Sequence, residues 1–127
     1  MSARFRDEDR IRKQADFDRV YHARRYAADA LLIVNGEANG LAYSRLGLSV
    51  GRIVGNAVVR NRWKRIIREA FRLSREELPK GLDIVVRPQK KAVADFDAVK
   101  RSLVALAGRI MRRELGVGSR ESGKTKQ

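Results

Sequence analysis

Apolar positions recur at helical spacing in three stretches of the chain and in short runs or alternation between them. The longest helical stripe runs through Val59, Trp63, Ile66, Ile67 and Ala70, with Phe71 at its edge. Asn56 stands just before it, where a short polar side chain can accept a free first-turn N–H as an N-cap. Pro79 and Gly81 close the stretch, which predicts a helix ending over 74–78. A shorter helix is predicted over 16–23, with Phe17, Val20 and Tyr21 at helical spacing. A third begins after Asp95, a second cap, and carries the stripe Phe96, Val99, Leu103, Leu106 and Ile110.

The intervening segments read as strands. The run at 30–35 is apolar on both faces, as in a strand covered on two sides. Gly36, Asn39 and Gly40 mark a turn. Over 41–50, Leu46, Leu48 and Val50 point one way and Arg45, Gly47 and Ser49 the other. A short extended piece is expected at 52–54, between Gly51 and Gly55. Over 82–87, Leu82, Ile84 and Val86 alternate with Asp83, Val85 and Arg87 until Pro88 stops the strand. The order predicts an α+β domain, a single mixed sheet packed with helices. The strand–helix–strand unit around the long helix would by default cross over right-handed. Residues 1–12 read as a mobile arm, 13–115 as the domain, and 116–127 as a disordered tail rich in Gly, Ser and Lys.

Charge changes the picture of the long helix. From Ile53 to Arg75 there are seven basic residues and one acid, Glu69. Arg60, Lys64, Arg68 and Arg72 are spaced four apart and stack along one side, where like charges repel. A solvated helix face normally mixes signs, so this one is read as a surface for a polyanion. Guanidinium forks suit bidentate phosphate contact, and Asn61 adds an uncharged hydrogen-bonding group. Trp63 shares its face with Val59, Ile66, Ile67 and Ala70, so it is read as a core anchor rather than a base platform.

The whole chain agrees. It has 127 residues, 29 basic and 15 acidic, and a formal charge of +14. Its pI is near 11.2. Nucleic acid is the default partner for such a balance. No apolar run approaches the roughly 18 residues of a membrane span, and the N-terminus lacks an apolar signal core. With no cysteine, disulfides, thiol catalysis and cysteine-bound zinc are excluded, which fits a cytoplasmic protein. The single histidine, His22, cannot make a multi-histidine metal site. Asp83, Asp95, Asp97 and the Glu76–Glu77 pair form no acid–base or metal constellation, and no protein catalytic site is legible. Gly47, Gly51 and Gly55 lack the Lys-Ser/Thr ending of a phosphate loop. Phe17 and Tyr21, four apart and beside Arg19, Arg24 and Arg25, can be core rings or can stack unpaired bases. A general RNA-binding protein remains a rival reading. So does a DNA-binding module, although the glycine-punctuated strand before Asn56 does not suit a helix-turn-helix.

The stretch Arg45-Leu46-Gly47-Leu48-Ser49-Val50, followed by Gly55-Asn56-Ala57-Val58-Val59-Arg60-Asn61-Arg62-Trp63-Lys64-Arg65-Ile66-Ile67-Arg68, resembles the signature of the bacterial ribonuclease P protein family. Arg60-Asn61-Arg62 matches its "RNR" motif. The likeness extends back to Arg12–Tyr21 and forward to Asp83–Pro88. It implies a fold like that of a ribosomal protein S5 domain, with a left-handed crossover around the basic helix in place of the default. It implies removal of the 5′ leader from precursor tRNA, with catalysis by an RNA subunit and its Mg²⁺. The implied partners are ribonuclease P RNA and the single-stranded leader, with no membrane. By position, Arg60, Asn61, Arg62, Lys64, Arg65, Arg68 and Arg72 would serve the RNA subunit. Phe17, Tyr21 and Arg52 would serve the leader, which raises base stacking above a purely core role for the two rings. Many members carry two consecutive basic residues where this chain reads Arg52-Ile53, so one charge is missing there.

Overall fold

A computed structural model describes residues 5–114 of the chain. In order the elements are α1 (Gln14–Ala23), β1 (Tyr26–Ala28), β2 (Leu32–Ala38), β3 (Arg45–Leu48), α2 (Ala57–Leu73), β4 (Leu82–Pro88) and α3 (Phe96–Arg109). The strands make one mixed sheet in the order β1-β2-β4-β3. β2 is antiparallel to β1 and β4, and β3 is parallel to β4. Parallel neighbours need a crossover, and α2 supplies it. The expected α+β architecture is the observed one.

Strand alternation divides the side chains between two faces. Leu32, Val34, Leu46, Ile84 and Val86 are buried with Trp63, Ile67 and Phe71 of α2 and Leu103 and Leu106 of α3. Val85, on the opposite face, clusters with Ile11 and with Val20 of α1. Two helices thus cover one face. α1 covers only part of the other and leaves it half-open.

Several expectations are corrected. The linker before the first predicted strand contains β1, whose Tyr26, Ala27 and Ala28 pair with Asn35, Val34 and Ile33. β2 runs to Ala38, past the predicted end. Gly36 belongs to the strand rather than the turn, paired with Ile84, and a Cβ there would stand 3.2 Å from Ile110 Cγ2. The second predicted strand shrinks to β3, and 52–54 forms a 3-10 turn, Arg52–Val54, instead of an extended piece. Val59, read as core, is 37% exposed. Past α3 the chain adds one wider turn, Ile110–Glu114.

Residues 5–12, read as an arm apart from the domain, pack against it. The Ile11 N–H donates to the Leu46 carbonyl at 2.9 Å, which covers part of the free edge of β3. Asp9 is buried and pairs with Arg75 at 3.0 Å. The Phe5 ring meets Phe71 edge-on, with centroids 5.8 Å apart. An open strand edge and an apolar Ile11 between charged neighbours give the segment its purchase. The predicted tail, 116–127, lies outside the described residues.

Candidate nucleic-acid interface

The local sequence of α2 sets its two faces. Asn56 caps it, its Oδ1 accepting the Val59 N–H at 3.0 Å. Trp63, Ile67, Ala70 and Phe71 are buried, and Trp63 is the core anchor expected. On the far side Asn61, Arg62 and Arg65 are exposed, and Arg60, Lys64 and Arg68 stand half-buried on the flanks. Among the described residues, no acid comes within ion-pair distance of Arg60, Arg62, Lys64, Arg65 or Arg68. Arg72 differs, since it donates to Glu69 at 2.7 Å. Burial lowers the pKa of Arg68, and the charges of Arg10 and Arg65 lower it further. A negative charge beside it would offset the repulsion from Arg10 and Arg65.

This flank of α2 reaches the open edge of β3. There Arg10, Lys64 and Arg68 share a groove of about 230 Å³ with Ile11, Phe17 and Leu48. Phe17 packs directly on the bare backbone of β3, and a Cβ on Gly47 would lie 2.9 Å from its Cε1. Tyr21, one turn further along α1, has the Arg87 guanidinium 5.8 Å from its ring centroid. Both rings are half-buried and pack against the Ile11, Val20 and Val85 cluster. The core reading of the aromatics thus holds for part of each ring. One part of each ring docks α1, and the remainder is exposed.

A second, shallower hollow on the outer side of α2 is lined by Val58, Asn61, Arg62 and Arg65. The structure thus joins Phe17 to Lys64 and Arg68, and sets Asn61, Arg62 and Arg65 together on another side. Arg52 is exposed on the 3-10 turn and lines neither hollow, and Ile53 beside it is 67% exposed.

Sequence reasoning missed Arg10, Arg87 and a buried network around Asp83. Asp83 has no exposed surface. Its Oδ1 accepts from Arg45 Nε at 2.8 Å and Asn39 Nδ2 at 2.9 Å. Its Oδ2 accepts from Arg45 Nη2 at 2.6 Å and from Arg19 of α1. Burial pushes the carboxyl pKa up, but the hydrogen bonds from Arg45 and Asn39 and the charges of Arg45 and Arg19 outweigh it and hold it below the usual range. The signal was present in the alternation of β4, which sets Asp83, Val85 and Arg87 on one face.

Comparison with known proteins settles the family. The Ribonuclease P family profile matches residues 5–111. The chain belongs to the ribonuclease P protein family. It is 40% identical over 99 residues to the ribonuclease P protein component of Thermotoga petrophila, covering 78% of this chain and 85% of that one. Its fold matches the solved ribonuclease P protein of Thermotoga maritima with a TM-score of 0.73 at 38% identity, over 79% of this chain and 96% of that one. The Staphylococcus aureus ribonuclease P protein matches with a TM-score of 0.70 at 33% identity, over 82% and 95%. The family forms the protein subunit of a ribonucleoprotein that matures tRNA 5′ ends, and this chain is such a subunit. Its partners are ribonuclease P RNA and precursor tRNA. Among the described residues no helix is long and apolar enough to cross a membrane.

Proposed function

We propose that this subunit divides its RNA contacts between two surfaces. The basic side of α2, with Arg60, Asn61, Arg62, Lys64, Arg65 and Arg68, grips the phosphates of the RNA subunit. Arg72 joins this surface at its end, with a contribution reduced by its pairing to Glu69. The half-open sheet face beside α1 takes the single-stranded 5′ leader, with its bases on Phe17 and Tyr21. Arg52, exposed on the 3-10 turn, adds charge for the leader. The observation that carries the reading is the shared groove in which Phe17 faces Lys64 and Arg68. The two surfaces meet at that groove, so a base stacked on Phe17 lies beside the cations that hold the RNA subunit.

The protein's part in the reaction is electrostatic and positional. Its unpaired cations lower the repulsion between two polyanions, and its rings fix the leader's path. Hydrolysis is assigned to the RNA subunit. Mg²⁺ is assigned there too, as the catalyst's own ion. Asp83, the most buried acid, already accepts from Arg45, Asn39 and Arg19. We place the holoenzyme in the cytoplasm, where tRNA matures.

The test compares precursor tRNA carrying a leader with tRNA lacking one, in the reconstituted holoenzyme. Phe17→Ala is expected to weaken binding of the leader-bearing substrate by about fivefold or more, the low end for one stacked base. Equal losses on both substrates contradict the leader assignment. A general RNA-binding role, the rival reading, predicts no leader dependence in the unmodified protein.

A further inference from the structure

α1 is a ten-residue helix resting on a sheet face that it covers only in part. Its apolar hold is small, since Val20 is its one fully buried side chain. Phe17 and Tyr21 present their open surfaces from this helix, so its height and rotation over the sheet decide where a base can stack. Between those two rings in sequence stands Arg19. Its guanidinium reaches down to Asp83 on β4 and also donates to the Ala38 carbonyl at the end of β2, at 2.9 Å. Asp83 is in turn held from the other side by Arg45 of β3 and by Asn39 of the loop after β2.

We infer that Asp83 and Arg19 are positioning residues, a buried clamp that fixes α1 on the sheet and thereby sets the Phe17 and Tyr21 platform for the leader. The inference rests on the leader assignment proposed above. Three features support it. The carboxylate accepts four hydrogen bonds, its full capacity, and they come from three separate parts of the chain, so satisfying it ties α1, β3 and the loop after β2 together. Both cations also lie within 4 Å of Asp16 on α1, Arg19 at 3.8 Å and Arg45 at 3.7 Å, so the charges bridge helix and sheet from both sides. The clamp stands next to the Phe17 contact, since Arg45 lies two residues before Gly47 on β3 and 3.7 Å from Asp16, the residue before Phe17.

The decisive variant is Arg19→Gln, because Arg19 is partly exposed and Asp83 keeps its bonds from Arg45 and Asn39 without it. Asp83→Asn leaves two cations facing a neutral group and serves as a second, harsher probe. Each is assembled with ribonuclease P RNA and assayed for affinity toward leader-bearing and leaderless substrates, beside Phe17→Ala. Arg19→Gln is expected to lower affinity for the leader-bearing substrate by about fivefold or more, the low end for one displaced stacking contact, with leaderless affinity and RNA-subunit affinity unchanged. Arg19→Lys is expected to restore part of the loss. In a protein already carrying Phe17→Ala and Tyr21→Ala, Arg19→Gln is expected to cost nothing more, because the clamp acts through the rings. An undiminished loss in that background overturns the inference, since Arg19 then touches the leader itself. A leader effect for Phe17→Ala with none for Arg19→Gln also overturns it and leaves the leader assignment standing. Absence of a leader effect for both removes the leader assignment with it.

Discussion

Replacing Arg65 and Arg68 together by Ala removes two of the five cations on α2 that no acid pairs with among the described residues. If each cation neutralises one phosphate, each contributes about 0.7–0.9 to the slope of log affinity against log salt. The five together account for a slope of about −3.5 to −4.5, and the double variant loses about 1.4–1.8 of it. Raising salt from about 50 to 200 mM then weakens the helix's contribution a few hundredfold in the unmodified protein and about 20–40-fold in the variant. The assay is affinity for ribonuclease P RNA across a KCl series at fixed Mg²⁺. Helix content should be unaffected, because thinning a row of like charges relieves repulsion. Arg72→Ala is the internal comparison, and its slope should change less because Glu69 already holds that guanidinium. Parallel salt lines, with the variant displaced to weaker affinity at every concentration, would show that Arg65 and Arg68 do not sit at phosphates.

Two further outcomes follow from the same geometry. Gly47→Ala puts a Cβ 2.9 Å from Phe17 Cε1 and 3.3 Å from Ile11 Cβ. It should cost about 1–3 kcal/mol of stability by overpacking and weaken leader binding with it. An unchanged denaturant midpoint contradicts the contact. Asp9, Asp29 and Asp83 all have carboxyl pKa values held below the ordinary range, in each case against the opposing effect of burial. Asp9 is held down by Arg75 and the Arg6 N–H, and Asp29 by Ser102 and the N–H groups of Leu31 and Leu32. The folded state therefore binds fewer protons than the unfolded one around the unfolded pKa of about 3.9. Stability should hold above about pH 5 and fall as pH drops through the depressed folded values. Urea midpoints measured from pH 7 to 3 check this, and a midpoint that rises on acidification contradicts it.

The long helix was legible because cap, stripe and charge all pointed the same way. Asn56 and Asp95 both cap as read, each accepting from a first-turn N–H at 3.0 and 2.9 Å. β4 was legible from Leu82, Ile84 and Val86 alternating after Gly81, although Pro88, read as its stop, is its last residue and pairs with Leu32. What escaped was short or depended on distant partners. β1 has three residues, too few for a period to register, and exists because β2 offers an edge. Ile11 is hidden among charged neighbours and finds its place only beside Leu46, far along the chain. Val59 has the right spacing for the core stripe but lies in the first turn of α2, beneath Gly55 and short of the sheet. Within the site, the basic residues were readable as a set because their number exceeds any local need. Their division into a flank facing Phe17 and an outer hollow was not, since it depends on where β3 ends. Asp83 looked like one acid among several. Only the assembled sheet shows that it has no exposed surface and is ringed by Arg45, Arg19 and Asn39.

The most direct test of the account is cleavage of a 5′-extended precursor tRNA by ribonuclease P RNA at low Mg²⁺, with and without this protein and with and without the leader. Strong stimulation by the protein that disappears when the leader is removed is the predicted result, and it assigns the chemistry to RNA and the guidance to the protein. Equal stimulation with and without the leader, or none from a folded protein with its cognate RNA, contradicts the account.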